Sequence, residues 1–127
     1  KVDRVQLVNN LRLYEDAVKI RKLYLQSQGK ELVDSPEYIR ALLKLGQWQR
    51  DRSDFEKASP NLLEAIRLAE HSRFIQPFEK AEYYNGYADF LNQTERYKEA
   101  EVFQGKADEL LKKYSEIDQH MSTGNAQ

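Results

Sequence analysis

Residues 42–65, LLKLGQWQRDRSDFEKASPNLLEA, and residues 84–107, YNGYADFLNQTERYKEAEVFQGKA, decide the fold when one is laid on the other. At a constant offset of 42 residues, Gly46 matches Ala88, Phe55 matches Tyr97, Ala58 matches Ala100 and Ala65 matches Ala107. Self-similarity at a fixed period marks a chain built from repeated supersecondary units. Antiparallel helices approach closely only where one side lacks bulk. Gly46 or Ala88 is therefore expected to face Ala58 or Ala100, with Leu45, Leu62, Tyr84 and Phe103 filling the flanks. A single helix pair keeps an apolar face, and stacking the next pair buries it.

The segments around this repeat also read as helices. Ser35-Pro36-Glu37 is a cap followed by Pro at the first helical position, where its missing N–H costs nothing. Ile39, Leu42, Leu43, Leu45 and Gly46 then follow at helical spacing. Gln76-Pro77 opens another helix with a weaker cap and the stripe Ala81, Tyr84, Tyr87, Ala88 and Leu91. Ser53 with Glu56 fits a capping box ahead of Phe55, Ala58, Leu62, Ala65, Ile66 and Ala69. Pro60 predicts a kink there or a later start at Ser59. Thr94 is expected to cap the last helix, whose stripe runs Tyr97, Ala100, Phe103, Ala107, Leu110, Leu111, Tyr114 and Ile117.

Upstream, Val5, Val8, Leu11, Tyr14, Ala17, Val18, Ile20, Tyr24 and Leu25 recur at threes and fours, as one helix or as two broken near Asn9-Asn10. Gly29 is the expected stop. No alternating β-branched run and no hairpin dipeptide argue for strands. The prediction is an all-α chain of antiparallel helix pairs. It forms a single domain over residues 1–120, with copies at 1–30 (partial), 35–71 and 76–117, and a flexible tail at 121–127.

Composition narrows the function. The 127 residues carry 40% apolar and 32% charged residues, lean for a globule and suited to a thin stack with much surface. The absence of cysteine excludes a disulfide scaffold, thiolate zinc sites and a cysteine nucleophile, and leaves the compartment open. No window approaches a membrane-spanning length of apolar residues, so no membrane partner is expected. A formal net charge of -1 supplies no global field for nucleic acid or anionic lipid. Residues 1–30 are locally basic, with seven Lys/Arg against Asp3, Glu15 and Asp16. They lack the interleaved aromatics of a nucleic-acid platform, so a nucleic-acid partner is not expected. The chain begins at Lys1 rather than Met, which suggests part of a longer protein.

The repeat pattern resembles the tetratricopeptide repeat: large-x-x-Leu-Gly/Ala, then an aromatic, then Ala, then Ala seven residues later. Leu42, Leu45, Gly46, Phe55, Ala58, Leu62 and Ala65 fit one copy. Tyr84, Tyr87, Ala88, Leu91, Tyr97, Ala100 and Ala107 fit a second. Tyr14, Ala17, Ile20 and Tyr24 resemble the second helix of a preceding copy, at an offset of 41 from Phe55 and Ala58. About two and a half copies thus cover residues 1–117. The period is longer than usual for the family, Glu70 and Lys112 stand where its terminal Pro would, Gln104 replaces a large apolar residue and Gln49 an aromatic. Longer copies of this kind resemble those of the kinesin light chain and of bacterial peptide-sensing regulators. A HEAT or armadillo architecture tolerates the period and leaves the paired alanines unexplained. The resemblance implies a right-handed α-α solenoid.

The catalytic inventory is thin. His71 and His120 lie far apart without a partner at metal spacing, no Gly-rich loop resembles a phosphate cradle, and the carboxylates sit among Lys and Arg as on solvated helix faces. No enzyme activity, cofactor or metal is expected. What the resemblance implies instead is a partner-binding surface on the first helix of each copy. Carried over, those positions are Arg40, Leu43, Gln47, Arg50 and Asp51 in one copy, and Glu82, Asn85, Asp89, Asn92 and Gln93 in the next. Leu43 and Gln47 stand where the family's carboxylate clamp needs Lys and Asn, so binding of a chaperone tail is not implied. Asparagine side chains suit an extended peptide, because they pair with both backbone N–H and C=O. Tyr84 and Tyr87 hold repeat positions and read as core. Tyr83 falls off the pattern, open to surface or partner contact, and Trp48 either packs on a neighbouring pair or marks a partner site. The expected function is a non-catalytic module binding a protein or peptide. The alternatives are an assembly segment of a longer solenoid, self-associating through exposed end faces, or the ligand-sensing helical domain of a regulator.

Overall fold

In the computed structural model the backbone is described for residues 4–125 and the side chains for residues 10–116. All regular structure among them is helical: α1 (Arg4–Ser27), a short 3-10 turn (Leu32–Asp34), α2 (Pro36–Asp51), α3 (Phe55–His71), α4 (Pro77–Gln93) and α5 (Tyr97–Asn125). The chain divides into two compact units, Lys1–Phe74 and Ile75–Gln127.

The first unit holds α1, α2 and α3. α1 is one unbroken helix, which settles the choice left open at Asn9-Asn10. It stops at Gly29, whose φ of 70° is the left-handed conformation glycine adopts freely. The Lys30 N–H donates back to the Leu25 carbonyl at 3.0 Å, satisfying a carbonyl the helix leaves orphaned. α2 begins as its sequence predicts: Pro36 opens the helix and the Ser35 hydroxyl accepts from the Tyr38 N–H at 3.4 Å.

α2 and α3 pack antiparallel. A Cβ built on Gly46 would lie 2.8 Å from Leu62 Cγ and Cδ2, so Leu62 is the nearest neighbour of the bare backbone at Gly46. Ala58 and Ala65 are fully buried, with Leu42, Leu45, Ile66 and Ala69 beside them. Pro60 lies inside α3, which runs continuously from Phe55 to His71. α1 packs on α2 through Tyr14, whose ring centroid is 4.7 Å from that of Trp48. A polar chain also joins the three helices. The buried Gln49 donates from Nε2 to Glu15 Oε1 at 3.3 Å and accepts from Asn61 Nδ2 at 2.7 Å. Both ends of that amide are thereby satisfied, as a buried polar group requires.

The second unit is the α4–α5 hairpin. Ala81, Ala88, Ala100 and Ala107 are buried along it. Aromatics fill the flanks: Tyr87 meets Phe103 edge-on at 4.8 Å, Tyr84 lies 6.1 Å from Phe103, and Lys106 Nζ sits 5.1 Å from the Phe103 centroid. Tyr83 is buried and its hydroxyl donates to Glu79 Oε2 at 2.8 Å. The surface or partner role left open for Tyr83 is thus corrected: α4 is apolar on two faces, and Tyr83 shares the second with Phe90.

Both expected side-chain caps inside the hairpins fail for one reason. Ser53 and Glu95 are left-handed, with φ of 62° and 60°. Each sits two residues past the last helical residue, where the chain reverses. Ser53 therefore belongs to the turn, and α3 starts after Asp54, whose side chain makes no cap bond. Thr94 closes α4 instead of opening α5: its hydroxyl donates to the Phe90 and Leu91 carbonyls at 3.2 and 3.1 Å. The backbone bonds of the two turns correspond one to one. Asp54 N–H to Gln49 C=O at 2.9 Å and Ser53 N–H to Arg50 C=O at 2.8 Å recur as Arg96 to Leu91 at 2.8 Å and Glu95 to Asn92 at 3.1 Å. This pairing of bonds is the Schellman closure of a helix. α5 stays helical to Asn125, through most of the stretch expected as a tail.

Candidate protein-binding surface

On α2, Arg40, Leu43, Gln47 and Arg50 recur at intervals of three and four, so the helix brings all four to one face. Arg40 is exposed, whereas Leu43, Gln47 and Arg50 are half-buried. Arg50 turns its guanidinium onto its neighbour, with Nε and Nη2 donating to Asp51 Oδ1 at 3.2 and 3.1 Å. That pairing partly neutralises both groups, so the face is less cationic than its sequence reads.

Asp51, the partner of Arg50, lines an open cavity of about 390 Å³ together with Asn10, Leu11, Trp48 and Arg52, and none of Arg40, Leu43, Gln47 and Arg50 lines it. Trp48 forms its aromatic wall. One side of the ring is held by Tyr14, Lys44 Nζ stands 5.3 Å from the ring centroid, and 38% of the residue remains exposed. Leu11 adds an aliphatic wall, and Asp51 and Arg52 a charged rim. Trp48 thus packs on α1, as one reading of its sequence position allowed, and also shows an edge to solvent. Asn10, Leu11 and Arg52 are not among the site residues expected from the sequence: Leu11 belongs to the apolar stripe of its helix, and the three reach the cavity only once α1 is laid along α2.

In the second unit, Glu82, Asn85, Asp89 and Asn92 likewise share one face of α4. Glu82, Asp89 and Asn92 are exposed and Asn85 is half-buried. Asn85 Oδ1 is buried and accepts no hydrogen bond within the described structure. The two sets of four belong to different units, and the structure assembles each within its own unit.

His71 is exposed at the end of α3, its Nδ1 2.9 Å from the Arg67 carbonyl oxygen, and the His120 side chain lies outside the described residues. Among the described residues no group of three or more His, Cys, Asp or Glu is placed to hold a metal ion. Nor is any helix there long and apolar enough to cross a membrane. No protein-family model, no curated protein and no solved structure matches the chain.

Proposed function

We propose that the chain is a tetratricopeptide-like stack of helix pairs that binds a peptide or partner-protein segment on the exposed face of α2, without catalysis. The observation that carries this reading is the cavity beside Trp48. It offers an exposed aromatic edge and Leu11 for an apolar side chain, and Asp51, Arg52 and Asn10 for the polar backbone around it. Aromatic anchors set in a polar rim are where protein interfaces concentrate their energy. The recurrence of the turn bonds and of buried alanines at one offset supports the helix-pair architecture.

The test is selection of peptides from a random extended library by the intact chain. Peptides so selected should lose about ten-fold or more in affinity for Arg52→Glu and Arg50→Glu variants, while circular dichroism and melting stay unchanged. Equal binding by both variants would remove the α2 face as the site.

A further inference from the structure

α1 carries two apolar faces, and only one is used. Leu11, Tyr14, Val18 and Leu25 turn towards the rest of the unit. Leu13, Ala17, Ile20 and Tyr24 form a second stripe at spacings of four, three and four, and all four are exposed, Leu13 by 67%, Ile20 by 64% and Tyr24 by 59%. Spacing of this kind is the seam that one helix presents to another.

Two observations say what fits there. The first is register. At the offset of 41 residues, Ala17 corresponds to Ala58 and Tyr24 to Ala65, both fully buried in α3 on the face that packs against α2. The matching face of α1 has no such helix among the described residues. The missing occupant is therefore an antiparallel amphipathic helix patterned like α2. The second observation is charge. Arg12, Lys19 and Arg21 border the stripe and are exposed, against a single exposed acid on the described part of α1, Asp16; Glu15 is held by Gln49. A second copy of α1 would bring the same cations against themselves, whereas a helix with acidic flanks would be attracted.

We infer that the Leu13–Ala17–Ile20–Tyr24 stripe of α1 is a second docking surface, separate from the α2 face, that takes an amphipathic helix with acidic flanks from a partner polypeptide. Helix-in-groove recognition of this type reads anchors at i, i+3 or i+4, and i+7.

The probe is a synthetic 16-residue peptide of the α2 sequence carrying Arg40→Glu, Lys44→Glu and Arg50→Glu, with the unsubstituted peptide beside it. Titrated into the intact chain, the acidic peptide should bind about ten-fold tighter than the unsubstituted one, and the advantage should shrink as salt is raised. Leu13→Ser and Ile20→Ser in the chain should each weaken that binding by a similar factor. Both sites are exposed, so circular dichroism and melting should match the parent chain. Three results would overturn the inference: no binding of the acidic peptide, binding that neither variant changes, or equal affinity for the two peptides. Sedimentation equilibrium adds a fourth: a dimer that dissociates on Ile20→Ser would mean that a second copy occupies the stripe. The α2-face variants Arg50→Glu and Arg52→Glu should leave peptide binding to α1 intact, which separates this surface from the one above.

Discussion

At the scale of the residue, Gly46 is where the α2–α3 contact has least room. Alanine in its place would gain helix propensity, worth about 1 kcal/mol in a helix interior. Against that, the new methyl would stand 2.8 Å from Leu62 Cγ and 3.2 Å from the Leu62 backbone nitrogen. A side-chain tip could swing aside, but a backbone nitrogen cannot, so the helices must separate. Overpacking of this kind costs about 1–3 kcal/mol and outweighs the propensity gain. Gly46→Ala should therefore lower the urea midpoint, with a net loss of about 1 kcal/mol. An unchanged or raised midpoint would show that Leu62 repacks freely. At the position matching Gly46 stands Ala88, already carrying its methyl, and the position matching Leu62 is Gln104, exposed and bonded to Asp108 at 3.2 Å. Small and large residues thus change together across the two copies.

At the scale of the element, the two hairpins share one turn built on the wrong residue type. A left-handed L-residue costs roughly 1–2 kcal/mol, and glycine escapes that cost at the price of about 0.5–1 kcal/mol in unfolded-chain entropy. Ser53→Gly and Glu95→Gly should each stabilise by about 0.5–1 kcal/mol, in near-equal amounts because the bond patterns match. Gly29→Ala should move the melting temperature the other way. Destabilisation by both glycine variants would mean that the Ser53 and Glu95 side chains hold these turns in a way their backbone bonds do not. These turns also show where sequence reading stops. Ser-Asp-Phe-Glu and Thr-Glu-Arg-Tyr satisfy the rules for a helix start. In each, the residue two steps past the end of the preceding helix is needed to reverse the chain, and the reversal takes precedence over the cap.

At the scale of the whole molecule, each unit solves its core differently. The first joins three helices through the Glu15–Gln49–Asn61 chain, whereas the second relies on Tyr84, Tyr87 and Phe103. The first unit also carries the clearest coupling of folding to pH. Burial, and secondarily the Glu64 charge, raise the Tyr38 hydroxyl above its ordinary 10.0. A raised value means that the folded chain holds the proton more tightly than the unfolded one. The stabilising contribution is thus complete below about pH 10 and is lost as pH climbs through the folded value. Urea midpoints should fall on moving alkaline from pH 10, and Tyr38→Phe should flatten that fall. A variant with the parent's alkaline profile would exclude Tyr38 as its source.

The sequence by itself determined that this chain is helical, where its helices lie, apart from the end of α5, within a few residues, and which small residues are buried between them. Helical period, Pro36, Pro77 and Gly29 are local signals, written by sterics that act within a turn or two of the chain. It also supplied the faces of α2 and α4, since a helix places residues three and four apart together whatever surrounds it. Only the tertiary structure decided what those faces meet. That Gly46 faces Leu62, that Tyr83 is buried, that Gln49 bridges Glu15 to Asn61 and that Trp48 opens a cavity with Leu11 and Arg52 all depend on how one helix is laid on another. So does the bare stripe on α1: Ala17, Ile20 and Tyr24 belong to the helical apolar recurrence of the sequence, and Leu13, which lies outside that recurrence, joins them on an exposed face. Whether an apolar face is core or surface depends on what lies against it.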